Sequence, residues 1–458
     1  MTSKLTTTLA ALAMTGTAAV LAPAAGAACR ASEPTAVPQP TSAQMRAAGL
    51  NRLPVGPLGR RLDLVAPRFS NPTSVTNPLF PISKLQSVVL NGHVEGKAFR
   101  TETTLLPETR VIEWSPGQCV STLVSQYFAY LDGRIEEVAL DFYAQADDGS
   151  VWYFGEEVNN YGDGVIADTS GTWLAGKEGP AAMIMPGAPR PGDVHRPENI
   201  PGLVWEEVTA KAVGRTVRGP LGPVSGALVG RELHDHGSFS DKIFVPGYGE
   251  FFSAHSGDLE ALAVAAPIDA ANGPEPVALR RLAAGAKVVF DRAGTGRWGA
   301  ASVAMKALHA SWRALPRTGV PVRLIAPTNR ALGAVERGVD ARNRNRARNG
   351  ALDVLQAALD LRLRHRPVAE IDRARLDLWL RQVAVDAAAR DTAALAGDVA
   401  TSEWIRDRIA PSLGPVTLTR VDTLLEELRA EQSDDELAAA VRTAAELRRV
   451  LAGAGAQR

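Results

Sequence analysis

Cysteine is nearly absent. The 458-residue chain has two, so no disulfide framework organises it. Signature motifs of the commonest hydrolases are also missing: no G-x-S-x-G, H-E-x-x-H or P-loop occurs. Net charge is missing as well. Lysine plus arginine (50) balances aspartate plus glutamate (50), which removes any general attraction to nucleic acid. Past the first thirty or so positions, no apolar run is long enough to cross a bilayer.

What is present begins at the N-terminus. Lys4 precedes an alanine-rich run from about Leu9 to Leu21, which ends in small residues before Cys29. This is the pattern of an export signal over residues 1–28, with an apolar segment too short to span a membrane. Export removes the rest of the chain from ATP, NADPH and reducing thiols. Gly26-Ala27-Ala28-Cys29 reads two ways. It is either a lipobox, making Cys29 a lipid-attachment site, or a plain cleavage site that leaves Cys29 an ordinary thiol. An oxidising compartment also permits a Cys29–Cys119 bridge. The expected location is extracellular, or the outer face of the cell membrane with a lipid at Cys29 as the one membrane contact.

The remaining chain is 45% apolar and 22% charged, the balance of a globular protein, and its length calls for two or three domains. Three textures follow one another. Residues 29–75 are rich in Pro, Thr and Ser and read as a linker with one short helix near Ser42–Leu50. Residues 76–268 alternate short β-branched and aromatic runs with Gly, Pro and Asp. Asp132-Gly133 and Asp148-Gly149 supply hairpin turns, which predicts an antiparallel β domain, a curved sheet or barrel of about ten strands. Residues 269–458 carry apolar positions at helical spacing, as in the stripe Leu376, Trp379, Leu380 and Val383, with Pro367 opening a helix.

The second half also echoes itself at an offset of about ninety residues. Trp298–Leu315 aligns with Asp391–Ile409, which predicts an all-α bundle of two duplicated hairpins. The fold class is therefore α+β in separate domains, with few contacts expected across a connection at Pro267–Pro276.

Several motifs carry candidate chemistry. Gly294-Thr-Gly296-Arg-Trp-Gly299 spells a dinucleotide fingerprint after a strand-like Lys287–Phe290. However, no acidic residue ends the next apolar run, Val320–Ile325, and the helical duplication accounts for the same residues. His234 and His236 would share one face of a strand and could hold Zn²⁺ or Cu²⁺, with His255 or His195 completing the shell. The alternative is a solvated turn before Gly237. Arg337, Arg342, Arg344, Arg346 and Arg348 form a basic run that either grips an anionic envelope polymer or is simply solvated.

Asp141-Phe-Tyr-Ala-Gln-Ala-Asp-Asp-Gly149-Ser-Val-Trp-Tyr-Phe-Gly-Glu156 resembles the pattern D-(W/F)-Y-A-Q-D-x-x-G-N-V-W-Y-F-G-E of a family of exported bacterial proteins of unknown function. Asn77–Pro81, Gly171–Gly176, Met185-Pro186 with Gly192-Asp193, and Pro246–Gly249 extend the likeness over residues 76–265. The resemblance implies an exported β domain and no particular reaction.

Within that stretch Trp152, Tyr153 and Phe154 read as packing, while Tyr143, Gln145 and Glu156 are candidates to line a concave ligand mouth. The function expected is an envelope protein that binds a small apolar or glycan ligand through its β domain, with the helices as a partner surface and no catalytic residues. The alternatives are a metal-binding protein using His234 and His236, and an enzyme with a carboxylate site drawn from Asp141, Glu156 and Glu157.

Overall fold

A computed structural model describes residues 33–455. Four of its hairpins rest on two-residue turns: Glu95-Gly96, Asp132-Gly133, Asp163-Gly164 and Ser256-Gly257. All eight of these residues have positive φ, the primed geometry that matches the twist of paired strands. The first half of the sheet runs β1 (Ser87–Val94), β2 (Lys97–Ser115), β3 (Gln118–Leu131), β4 (Arg134–Gln145), β5 (Val151–Gly162) and β6 (Val165–Asp168). Two short strands, β7 (Trp173–Leu174) and β8 (Ala182–Met185), both pair with β5. The second half comprises β9 (Val194–Ile200), β10 (Val204–Arg218), β11 (Pro223–His234), β12 (Phe239–Val245), β13 (Gly249–His255) and β14 (Asp258–Ala266).

These form one antiparallel sheet of 14 strands in the order β6-β5-β4-β3-β2-β1-β14-β13-β12-β11-β10-β9. The sheet curls until β9, at one edge, lies against β8 and β5 near the other. No ladder joins those flanks among the described residues, so the barrel is curled and open. Residues 33–75, expected as a linker, run along the sheet and contribute to its cores. Leu50 packs with Trp205 and Leu233, and Phe69 packs edge-on to Trp114 and Phe154.

One irregularity decides which side chains face inward. On β5 the register with β4 slips between Asp141, opposite Glu156, and Tyr143, opposite Tyr153. The extra residue is absorbed around Gly155, whose φ is 117° and whose added Cβ would stand 2.2 Å from the Trp173 carbonyl oxygen. Residues three apart on a regular strand face opposite ways. The bulge turns Tyr153 and Glu156 to the same face. The glycine of the V-W-Y-F-G-E run is therefore the residue that aims the glutamate.

The helical half consists of α2 (Val277–Gly294), α3 (Trp298–Arg313), α4 (Val322–Asp340), α5 (Arg344–Arg362), α6 (Val368–Ala389), α7 (Thr392–Ile409), α8 (Pro415–Ser433) and α9 (Leu437–Gly455), after the short α1 (Ser42–Ala47). Pro276, Pro321 and Pro367 hold extended backbone immediately before α2, α4 and α6, while the side chains of Asn343 and Asp391 cap α5 and α7.

The duplication is visible in the packing. α2 touches α3 and α5, and α4 touches α3 and α5. In the same way α6 touches α7 and α9, and α8 touches α7 and α9. Each half of the repeat is thus a four-helix unit, two successive antiparallel pairs, and the second set starts about ninety residues after the first. Gly294–Gly299 forms the α2–α3 connection. Lys287–Phe290 is helix, not strand, and Val320–Ile325 leads into α4, so the backbone around the glycines is not that of a dinucleotide fold.

The helices cover the outer face of the sheet. Phe128, Tyr130, Ile135 and Val138 share a core with Leu376, Leu380, Leu395 and Ile405, and Val89, Ala263 and Val264 share another with Leu282, Val289 and Leu308. Burying one such large apolar side chain stabilises the fold by roughly 1.5–3 kcal/mol. Buried ion pairs cross the same interface. Glu102 on β2 meets Arg408 at 2.8 Å and Arg375 at 3.3 Å, and Arg100 meets Asp360 at 2.7 Å. The scarcity of contacts expected across residues 267–276 is therefore not found, because the apolar face of this sheet points outward and the helices are what bury it.

Candidate functional site

Beneath an outer face packed against the helices, the curled sheet also carries a cluster of charge inside. A cavity of about 360 Å³ lies within the curl. β4 supplies Glu137, Asp141 and Tyr143 at alternate positions, and β5 supplies Glu156 through its bulge. β10, β11, β13 and β14 add Glu206, Glu232, Glu250 and Glu260 in turn. One basic side chain, Lys242 on β12, answers these seven carboxylates along the wall. Glu198 on β9 adds its charge to that of Glu156 across the gap where the sheet's flanks meet. Tyr127, Tyr143, Phe80 and Phe244 make the wall aromatic, with Leu85, Val88 and Leu90 beside them.

Local contacts hold this lining. The Tyr153 hydroxyl donates to Asp141 Oδ1 at 2.7 Å, and the Tyr153 ring stacks on Tyr143 at 4.8 Å between centroids. Thr101 donates to Glu260. Lys242 Nζ lies 3.1 Å from Glu250 and 3.5 Å from Glu232.

Such crowding raises the affinity of several of these acids for protons, whereas Glu206, despite its burial, is held low by its hydrogen bond with His234 and by nearby Lys242. Burial, and then Glu137, push Asp141 up to about 7 against the hydrogen bond from Tyr153. Burial and the charges of Asp141, Glu198 and Glu137 push Glu156 higher still, to about 10. Burial and Glu250 bring Glu260 to about 7. Burial also raises Glu198 and Glu232. Lys242 moves the opposite way to its own burial. Glu232, Glu250 and Glu206 outweigh desolvation and hold its ammonium well above the usual lysine range. Without a counter-charge the cavity therefore carries several protonated carboxyls at neutral pH.

Tyr143 and Glu156, expected at a ligand mouth, both line this cavity. Gln145 does not. Its side-chain oxygen accepts from the backbone N–H of Thr76 and of Asn77 at 2.8 and 2.7 Å, so it anchors the N-terminal segment. Asp141 faces inward with Glu156, whereas Glu157 pairs with Arg110 at 2.5 Å and is exposed.

The three histidines His234, His236 and His255 come together, with ring centroids 5.6, 5.7 and 6.5 Å apart. His234 Nδ1 is 2.9 Å from Glu206, and its Nε2 is 2.6 Å from Ser240 Oγ. The hydrogen bond that His234 donates to Glu206 raises His234 above the ordinary imidazole value, against its partial burial. His195 is buried elsewhere on β9, near Asp63 and Arg61. Cys29 lies outside the described residues. Cys119, on β3, is not a free thiol.

Sequence reasoning missed Glu137, Glu206, Glu232, Glu250, Glu260 and Lys242. Each is a charged residue on a strand, and Glu137, Glu206, Glu232 and Lys242 each sit beside another charged residue, which reads as solvent-facing. Only the curl of the sheet makes the six neighbours. A wider hollow, about 690 Å³, lies outside the barrel against α4, with Arg218 and Arg330 exposed at its rim. Charges there face water, which weakens them, while those of the interior act in a poorly screened space. No helix among the described residues is long and apolar enough to cross a membrane. A scan against protein-family models returns no match to this chain, and no curated protein matches it.

Proposed function

We propose that the chain is an exported binding protein whose curled sheet takes a small organic cation, an amine with an apolar body, into its acidic interior. The observation that carries this reading is the ring of seven buried and half-buried carboxylates opposed by one lysine. An entering ammonium group replaces protons as the counter-charge, and it does so where the dielectric is low and each ion pair is strong. The aromatic wall suits the same ligand, because aromatic rings such as Tyr127 attract a cation while Leu85, Val88 and Phe244 release water on meeting its carbon chain. The volume is that of a small-molecule site. An amine replaces the apolar or glycan ligand expected from sequence because only a cation gains ion pairs from these acids, whereas a neutral ligand meets protonated carboxyls and gains none. Export rests on the N-terminal signal pattern, which lies outside the described residues.

Titration calorimetry with spermidine and cadaverine, set against glucose and hexanol, tests the reading. The amines are expected to bind saturably at one site per chain, and the neutral probes to give no heat. The double substitution Asp141→Asn with Glu156→Gln is expected to weaken amine binding by at least about tenfold, since each lost charge-assisted contact contributes roughly 1.5–3 kcal/mol. Binding of the neutral probes with no response to the amines sinks the proposal.

A further inference from the structure

We infer that the chain holds a second site, for a divalent transition-metal ion of the zinc class, at the end of the barrel interior where β10, β11, β12 and β13 converge. Its ligands are Glu206, Glu232 and His234, with His255 as the fourth. The inference goes beyond amine binding: it shares Glu206 and Glu232 with the carboxylate ring but takes its nitrogen donors, His234 and His255, from outside that lining.

Three observations support it independently of the acidity of the cavity. Of the seven histidines in the chain, three meet here from two different strand ends, with rings within 6.5 Å of one another. Glu206 stands directly opposite His234 in the β10–β11 ladder, and one donor atom from each of Glu206, Glu232 and His234 lies within 4.8 Å of the others. Zinc donors sit about 2.0–2.2 Å from the ion, hence about 3.3–3.6 Å from one another, so rotamer adjustments of about 1 Å bring the three atoms onto one ion.

The third observation is Ser240 Oγ, which lies 2.6 Å from His234 Nε2 and 3.4 Å from His255 Nδ1. His255 and, at 3.8 Å, Glu232 thus both face the Nε2 edge of His234. An ion taking the place of the hydroxyl would bind Nε2, with Glu206 turning from its present contact at Nδ1 to complete the shell.

The donor set selects the metal. Imidazole nitrogen with carboxylate oxygen suits Zn²⁺. It lacks the thiolates that favour Cu⁺ and the all-oxygen shell that favours Ca²⁺ or Mg²⁺. Lys242, now 3.5 Å from Glu232, keeps its contact to Glu250 at 3.1 Å when Glu232 turns to the metal. His236 is exposed and stays outside the set.

The test uses the full chain, stripped with a chelator and titrated with Zn²⁺ and with Co²⁺ as a spectroscopic substitute. One ion per chain is expected, with the intense visible Co²⁺ bands of a four-coordinate site. His234→Ala, and the nearly isosteric Glu206→Gln as a second variant, should each weaken Zn²⁺ binding by more than the roughly 10–100-fold that losing an outer-shell partner costs. Circular dichroism confirms that both remain folded. Asp141→Asn with Glu156→Gln should retain Zn²⁺ while losing the amine, which separates this site from the amine site. Absence of stoichiometric metal overturns the inference. So does binding that survives His234→Ala and Glu206→Gln but disappears with His236→Ala, the signature of an adventitious surface histidine.

Discussion

Arg375→Met is expected to destabilise the protein by about 3–5 kcal/mol, the loss typical when one partner of a buried ion network is removed. Arg375 is completely buried, and its guanidinium reaches Asp372 at 3.0 Å, Asp360 at 3.1 Å and Glu102 at 3.3 Å. Those acids belong to three elements: Glu102 to β2, Asp360 to α5 and Asp372 to α6. Burial alone would raise Glu102, but Arg375, Arg100 and Arg408 outweigh it and hold the carboxyl well below the usual range. Methionine fills the space and leaves three carboxylates with fewer cations. Because the network joins the sheet to both helical repeats, the damage falls on the interface. Urea unfolding followed by near-ultraviolet and far-ultraviolet signals should show the two transitions separating. Arg429→Met, which breaks the pair between the exposed Arg429 and half-buried Glu403, is the matched control and should cost about 1 kcal/mol or less. Equal effects of the two substitutions would contradict the role given to the network.

The second large effect is an inverted dependence of stability on pH. Asp141, Glu156, Glu198, Glu232 and Glu260 all hold protons more tightly folded than unfolded. Between about pH 4.5 and pH 7 the folded chain therefore binds more protons, and its stability falls as pH rises, by about 1.4 kcal/mol per pH unit for each extra proton retained. Glu102 and Asp377, both shifted down by neighbouring cations against their burial, act in the opposite sense and lose their contribution below about pH 4. Maximum thermal stability of the ligand-free protein is thus expected near pH 5, with a decline through neutrality. Asp141→Asn with Glu156→Gln should flatten that decline and raise the midpoint near pH 8. A stability optimum at neutral pH in the ligand-free protein would contradict the protonated cavity.

Local signals explain which parts of this architecture could be read from sequence. The Asp132-Gly133 turn needs only its own two residues, and the helical stripe around Leu376 and Leu380 needs one turn of spacing, so hairpins and helices were legible. The repeat was legible as an offset, but its unit was not, because the loops that divide four helices from two carry weak punctuation. Tyr143 and Glu156 stood out through the aromatic run around them. Glu232 and Glu260 did not, since an acid on a strand gives no clue that the polar face is the concave one. Arg375 shows the same reversal in the helices: a charged residue beside an apolar stripe reads as exposed, yet it is buried against a sheet that turns its apolar side outward.

Proton release on ligand binding tests the central claim most directly. The full chain is titrated with spermidine near pH 7 by calorimetry in two buffers of different ionisation enthalpy, where Asp141 and Glu260 are close to half protonated. Release of at least one proton per amine bound, seen as a heat that changes with the buffer and is lost in Asp141→Asn with Glu156→Gln, is the predicted result. Identical heats in the two buffers, or no binding at all, would mean that the interior carboxylates are not a cation site.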